Sequence, residues 1–192
     1  MIDYNKCDTC GYITKISVLT SDKECFNCKS EYQANWLEYP SPAAKGFYHQ
    51  FTAGVYSYEE YVAEAYDFHE IQPTCLFLCA LYELLLAGLT SDILKSYSVP
   101  QKVIDLILDS NNGQNKMALV FRELEDTTLK EAIVNNCNPL FYDKMQLIIQ
   151  GRNKYIHGNY SALDHITIDD LHYIVENIIE VFVKLHNKFV VK

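Results

Sequence analysis

The sequence has no uninterrupted apolar run long enough to cross a bilayer comfortably. Its longest, CLFLCALYELLLAGL from Cys75 to Leu89, carries Glu83 inside it and reads as a buried core helix, so no membrane partner is expected. The first residues, MIDYNKCDTC, lack the basic and apolar regions of a signal peptide, which makes a cytoplasmic location the expectation. Positive charge is scarce as well. Sixteen Lys and Arg stand against 25 Asp and Glu, a formal charge of −9. That balance excludes a protein that coats nucleic acid non-specifically, because such binding leans on clustered cations. It leaves room for one small, defined cationic site. There is no internal repeat, and outside the N-terminal region no segment reads as a strand.

What is present fits a folded domain with a small module attached. The 192 residues are about half apolar (49%) and about a fifth charged (21%). The composition divides the chain into three parts: a cysteine module over residues 1–35, a linker over 36–46, and a helical domain over 47–192. The linker reading rests on SEYQANWLEYPSPAAKG, where Pro40, Ser41 and Pro42 disfavour helix. Trp36, Leu37 and Tyr39 are the residues expected to pin the module to the helical domain.

Four of the seven cysteines form two close pairs, CDTCG (Cys7, Cys10) and CFNCK (Cys25, Cys28). Two C-x2-C pairs separated by a hairpin-length spacer supply four thiolates, which suits the closed tetrahedral geometry of structural zinc. YITKISVL, rich in branched residues, reads as a strand of that hairpin. Gly11 fits a turn whose backbone N–H groups face sulfur. The pattern resembles a zinc ribbon. Two disulfides are the alternative for a secreted module, and a four-thiolate iron site is another that spacing leaves open. A closed four-ligand metal folds the module and performs no chemistry. Cys75, Cys79 and Cys137 lie in apolar or turn contexts, and the first two, one helical turn apart, read as small buried hydrophobes.

The remainder reads as helices. Ser57-Tyr58-Glu59-Glu60 is a capping-box pattern opening a helix through Glu70. Pro73 suits a first helical turn, Gly88 suits the end of that helix, and Ser91-Asp92 suits the start of a short piece. Pro100 starts another, NNGQN (Asn111 to Asn115) is a loop, and MALVFREL and DTTLKEAIV are short helices. Asn138-Pro139 caps the segment leading to Arg152, and Gly158 stops it. After Thr167, Leu171, Ile174, Val175, Ile178, Phe182, Leu185 and Phe189 recur at steps of three and four, the clearest amphipathic pattern in the chain. The fold class is therefore mainly α, a helical bundle preceded by a four-cysteine ribbon with a β-hairpin.

RNKYIHGNY, from Arg152 to Tyr160, crowds a guanidinium, two carboxamides, an imidazole and two phenols just past an apolar run. Arg152 and His157 differ by about 140° around an ideal helix and so do not share one face. Two such helix ends meeting across a two-fold axis would place two Arg and two His around one groove. Arg binds phosphate oxygens bidentately, and an imidazole exchanges protons near neutral pH. Metal-free cleavage of a phosphodiester through the ribose 2′-OH needs little more. The alternative is a solvated helix C-terminus, where cations meet the dipole favourably.

R-x4-H in RNKYIHG, at a helix end and followed by one last amphipathic helix, resembles the HEPN superfamily of α-helical endoribonuclease domains. The resemblance spans roughly Gly46 to the C-terminus in architecture, about three quarters of the chain. It implies a homodimer with a metal-independent RNase site, in which Arg152 holds the scissile phosphate, His157 is the general acid/base and Asn153 assists. It also implies a host-defence or toxin role against RNA, with an antitoxin or regulatory protein as a further partner. HEPN-like folds can add an acidic residue from an earlier helix, for which Glu83 is the candidate. Glu83, Tyr155 and Tyr160 are the candidate substrate-binding residues, the tyrosines by stacking on a base. Where one subgroup has Tyr two residues after the His, this chain has Asn159, with Tyr160 one later. Two other functions compete: a non-catalytic adaptor that binds a protein or nucleotide, and a redox protein built on the C-x2-C pairs. The redox reading suffers because neither pair sits before a helix in a βαβ setting.

Overall fold

A computed structural model describes residues 4–15, 24–31, 61–62, 65–66, 70–109 and 113–191. The chain is mainly helical, with one small two-stranded sheet. Strands β1 (Tyr4–Lys6) and β2 (Ile13–Lys15) pair antiparallel, with Asn5 opposite Thr14. From Ile71 onward the described residues form six α-helices: α1 (Ile71–Ser96), α2 (Gln101–Leu108), α3 (Gly113–Glu125), α4 (Leu129–Asn136), α5 (Pro139–Ile156) and α6 (Ile168–Phe189). A 3-10 turn at Tyr160–Leu163 joins the last two. The capping box at Ser57, the linker and the strand residues beyond Lys15 lie outside the described residues. Tyr61, Val62, Ala65 and Tyr66 are helical.

Helix α1 is the spine, packed against α2, α3, α5 and α6. It is apolar nearly all round, the signature of a helix with neighbours on every side. Leu78, Leu81, Leu85, Leu86, Leu89 and Ile93 are sealed from solvent. At 26 residues it is long and apolar enough to cross a membrane by length and composition, yet two thirds of its most apolar window (67%) is buried within the fold. The helix runs straight through Gly88 and Ser91-Asp92, where the sequence suggests a stop and a fresh start. Glycine inside a helix costs about 1 kcal/mol relative to alanine. The buried side chains at Leu89, Ile93 and Leu94 outweigh that penalty, each worth roughly 1.5–3 kcal/mol. Tertiary burial overrides the local signal. Likewise Gly113, Gln114 and Asn115 belong to α3 rather than to a loop, while Asn111 and Asn112 lie outside the described residues.

The capping chemistry sets the remaining boundaries. The Asn138 side chain accepts the Leu140 N–H at 3.0 Å, with Pro139 as the first helical residue of α5. Thr128 with Glu131, and Thr167 with Asp170, form capping boxes at the starts of α4 and α6. Helices α5 and α6 run antiparallel: Cys137 Sγ meets the Val181 carbonyl at 3.6 Å, and further along α5 Lys144 pairs with Asp170 near the start of α6.

Burial alone would raise the Asp170 carboxyl, but the Lys144 ammonium and the Thr167 hydroxyl and amide outweigh it and hold it down to about 2. A carboxyl whose folded pKa lies below its unfolded value stabilises the fold above that unfolded value and loses the contribution as pH falls toward the folded one. Asp170→Asn is expected to lower stability by on the order of 2 kcal/mol at pH 7. The gap to wild type in urea titrations should narrow steadily between about pH 4 and pH 2. A gap independent of pH would refute this account of the pair.

Candidate functional site

Two clusters of chemistry-bearing residues emerge, one at the cysteines and one at the end of α5. The four thiol sulfurs of Cys7, Cys10, Cys25 and Cys28 all lie within 4.8 Å of one another, close enough to hold a metal ion. Cys7 and Cys28 sulfurs are 3.6 Å apart, and those of Cys10 and Cys25 are 3.7 Å apart. A tetrahedral ion with bonds of about 2.3 Å to sulfur requires an S···S separation of about 3.8 Å. The donor set therefore fits a four-thiolate metal.

The two C-x2-C turns have the same backbone. Cys7 N–H donates to the Tyr12 carbonyl and Gly11 N–H to the Cys7 carbonyl, both at 2.8 Å. Cys25 N–H donates to the Ser30 carbonyl at 2.8 Å and Lys29 N–H to the Cys25 carbonyl at 2.9 Å, five-residue and four-residue closures as in the first turn. Gly11 and Lys29, the matching positions, are both left-handed, with φ of 76° and 60°. Burial of Cys7 would raise its thiol, but hydrogen bonds from Ser30 and from the Cys10 and Thr9 amides bring it down to about 6. Ser30 Oγ, 2.9 Å from the Cys28 sulfur, lowers that thiol too. Cys10 is pushed up to about 11 by burial. Phe26 at the tip of the second turn is 71% exposed, with the Lys29 ammonium 5.3 Å from its ring centre. Sequence reading overlooks it because an aromatic between two cysteines looks like spacer.

At the second cluster, α5 ends as the sequence suggests. Gly158 adopts φ 94°, its N–H donates to the Tyr155 carbonyl, and Asn159 N–H donates to the Lys154 carbonyl, both at 3.0 Å. This pair of bonds is the Schellman stop, for which glycine is the natural residue. His157 is the C-cap and its imidazole is exposed, with no hydrogen bond among the described residues. Arg152, one and a half turns earlier, faces inward. Its guanidinium donates to Glu83 Oε1 on α1 and lies beside the buried Cys79 thiol one helical turn before Glu83. Arg152 is 18% exposed and Glu83 42%. Burial disfavours the Arg152 charge, but Cys79 and Glu83 overcome it and raise its pKa. Arg152 Nε is buried with no hydrogen bond among the described residues.

The structure thus brings Arg152 and Glu83 together and leaves Arg152 and His157 on different sides of α5, joined by no hydrogen bond or ion pair among the described residues. Asn153 is exposed on the helix surface. The Tyr155 and Tyr160 rings flank His157 in sequence and pack edge to face, centroids 5.8 Å apart, with Tyr160 74% exposed. Cys75 and Cys79 are buried, as their apolar context suggests, and burial pushes the Cys75 thiol up to about 12. Cys79 as a neighbour of Arg152 has no sequence signature, since the contact spans separate helices. No protein-family model, no curated protein and no solved structure matches this chain.

Gly151, immediately before Arg152, is where α5 meets the 3-10 turn. A Cβ there would lie 2.8 Å from Leu163 Cδ2 and 3.1 Å from the Ala162 carbonyl oxygen. Gly151→Ala is expected to destabilise the fold by about 1–3 kcal/mol, because the opposing oxygen is backbone and yields poorly. Urea denaturation measures it. A neutral result would mean that α5 is not seated against the turn this closely.

Proposed function

We propose that the chain is a metal-independent endoribonuclease of HEPN type whose site assembles between two copies of the chain, with a structural zinc in the N-terminal ribbon. The observation that carries the reading is the end of α5. A glycine stop leaves His157 open to solvent, and Arg152 in the same stretch is tethered from α1 by Glu83. One chain presents the two groups on separate sides of the helix, so a two-fold pairing supplies the groove that the chemistry needs. The outward face of α5 also offers Leu140 and Leu147, 48% and 37% exposed, as apolar surface for that pairing.

In this scheme the RNA 2′-oxygen attacks the adjacent phosphorus while an imidazole takes its proton. The P–O5′ bond breaks, the leaving 5′-oxygen receives a proton from the second imidazole, and the products are a 2′,3′-cyclic phosphate and a 5′-hydroxyl. Arg152 neutralises charge growing on the non-bridging oxygens, and Glu83 holds the guanidinium in place. Asn153, Tyr155 and Tyr160 line the approach and contact the nucleotide. A toxin or anti-phage role, with an antitoxin as partner, extends the same resemblance.

A specific observation favours a second reading. Arg152 is already neutralised by Glu83 within a chain of net charge −9. That suits a non-catalytic adaptor, in which the same residues hold the bundle together and the ribbon contacts a protein.

The deciding assay is cleavage of end-labelled total RNA and tRNA without added divalent ions, under conditions that leave the ribbon's metal in place. Wild type is expected to leave 2′,3′-cyclic phosphate ends, and His157→Ala and Arg152→Ala to lose at least ~100-fold in rate while keeping their helical circular dichroism. A folded, dimeric wild type that leaves RNA intact sinks the nuclease reading in favour of the adaptor. Metal analysis is expected to give one zinc per chain, lost in Cys28→Ser, because the exchange of one thiolate opens the set. A chain purified with iron would overturn zinc as the ion.

A further inference from the structure

The metal centre and the helical core share the same two short strands. Cys7 comes directly after β1, and Tyr12, whose carbonyl closes the first turn on the Cys7 N–H, directly precedes β2. Ile13, the first residue of β2, is 1% exposed and belongs to the core cluster with the helices. Both of its backbone polar groups go to one side chain on α6. Ile13 N–H donates to Asn187 Oδ1 at 2.7 Å, and Asn187 Nδ2 donates to the Ile13 carbonyl at 2.7 Å. A carboxamide thus takes the place of a neighbouring strand. On β1, Lys6 is half-buried near the end of α1, where the charges of Asp92 and Lys95 act on it. Asp92 in turn lies 3.7 Å from Nε2 of His186, which is fully buried on α6 next to Asn187.

We infer that metal occupancy of the four-cysteine centre is thermodynamically coupled to the stability of the helical bundle through Ile13, Asn187 and the Lys6–Asp92–His186 cluster. This rests on the reading of Cys7, Cys10, Cys25 and Cys28 as a metal centre. A metal binds the folded cysteine set and so holds β1 and β2 in register. The strands carry that order directly into the core, because no residue separates Lys6 from Cys7 and only Gly11 and Tyr12 separate Cys10 from Ile13. When the ribbon opens, Ile13 leaves its place in the core, Asn187 loses both partners, and Asp92 loses the ammonium that compensates its burial. Each change weakens the packing of α6 on α1. By linkage the coupling is reciprocal: a loosened Asn187 clasp must weaken metal retention by the same factor.

The test uses the full-length chain under reducing conditions, with metal content measured before and after treatment with a zinc chelator. Thermal melting is tracked at the far-ultraviolet helical signal, which the two short strands hardly affect. Loss of the metal is expected to lower the helical midpoint by at least ~5 °C, as a domain of this size shifts a few degrees per kcal/mol. In Asn187→Ala the chelation shift should shrink to less than about half, and half-removal of metal should need roughly three- to ten-fold less chelator. A chain that binds no zinc even when it is supplied overturns the metal reading. One that gives up its zinc while its helices melt unchanged overturns the coupling and makes the ribbon an autonomous module. Retention of zinc by a folded Asn187→Ala at the wild-type chelator concentration also overturns it. Should that variant not fold, the wild-type comparison decides alone.

Discussion

Everything in this molecule is arranged around the burial of α1. A 26-residue helix that is apolar on all sides cannot stand at a surface, and among the described residues α2, α3, α5 and α6 pack around it. Enclosure has an electrostatic consequence, because a charge inside such a wall is tolerated only with a partner. Helix α1 carries two acidic residues that reach this wall, Glu83 and Asp92. Glu83 is met by Arg152 from α5. Asp92 is met by Lys6 from the ribbon, Lys95 from its own helix and His186 from α6. The two regions that draw chemical attention in the sequence, RNKYIHG and the cysteine module, are thus each fastened to α1 through one carboxylate.

The degree of compensation differs between the two. Glu83 is partly open to water, and its contact with Arg152 is a direct hydrogen-bonded pair. Asp92 is more enclosed, and its burial outweighs the attraction of the two lysines, raising its carboxyl to about 6. His186 beside it is driven the other way, to about 3, by burial and then by repulsion from Lys6. As pH falls from about 6.5, the unfolded chain protonates its histidine while folded His186 stays neutral, which works against folding. Over the lower part of the same range folded Asp92 gains its proton before an unfolded aspartate would, which works in favour. The two opposed titrations partly cancel, so this cluster tolerates mild acid better than His186 would alone.

Much of the helical organisation was legible because caps and stops are local chemistry. Asn138-Pro139, Thr167 and Gly158 each act through groups within a few residues, and each lies where its pattern predicts. The proximity of the four thiols is partly local, since each pair closes its own turn on the same hydrogen bonds. Gly88 and Ser91-Asp92 misled because their signals compete with burial, which is invisible until the neighbouring helices are in place. The start of α1 at Ile71 rather than Pro73, and the helical Gly113, differ by the small margins in which end turns commonly vary. Asn187 and Cys79 carried no signal at all. A carboxamide on the last helix that satisfies a strand 174 residues earlier, or a thiol beside a guanidinium on another helix, is a property of the assembled fold.

The same distinction bears on how RNKYIHG is to be understood. Spacing alone says that Arg152 and His157 diverge around a helix, which weighs against a site within one chain. The fold adds the direction of the divergence: the guanidinium turns toward α1 and the imidazole toward solvent. A residue that merely solvates a helix end does not reach inward to an acidic residue on the central helix, leave its Nε buried, and lie against a thiol. Arg152 is held, with its orientation set by Glu83 and its backbone set by the close approach of Gly151 to the turn beyond. Held cations are what phosphate chemistry uses, since a guanidinium fixed in advance needs little reorganisation when charge develops. The pairing with Glu83 also lowers the net charge at the site, so under the proposed nuclease reading recognition of RNA would rest on close contacts rather than on long-range attraction. Under that reading, the acidic chain would take a structured or single defined RNA rather than bulk nucleic acid.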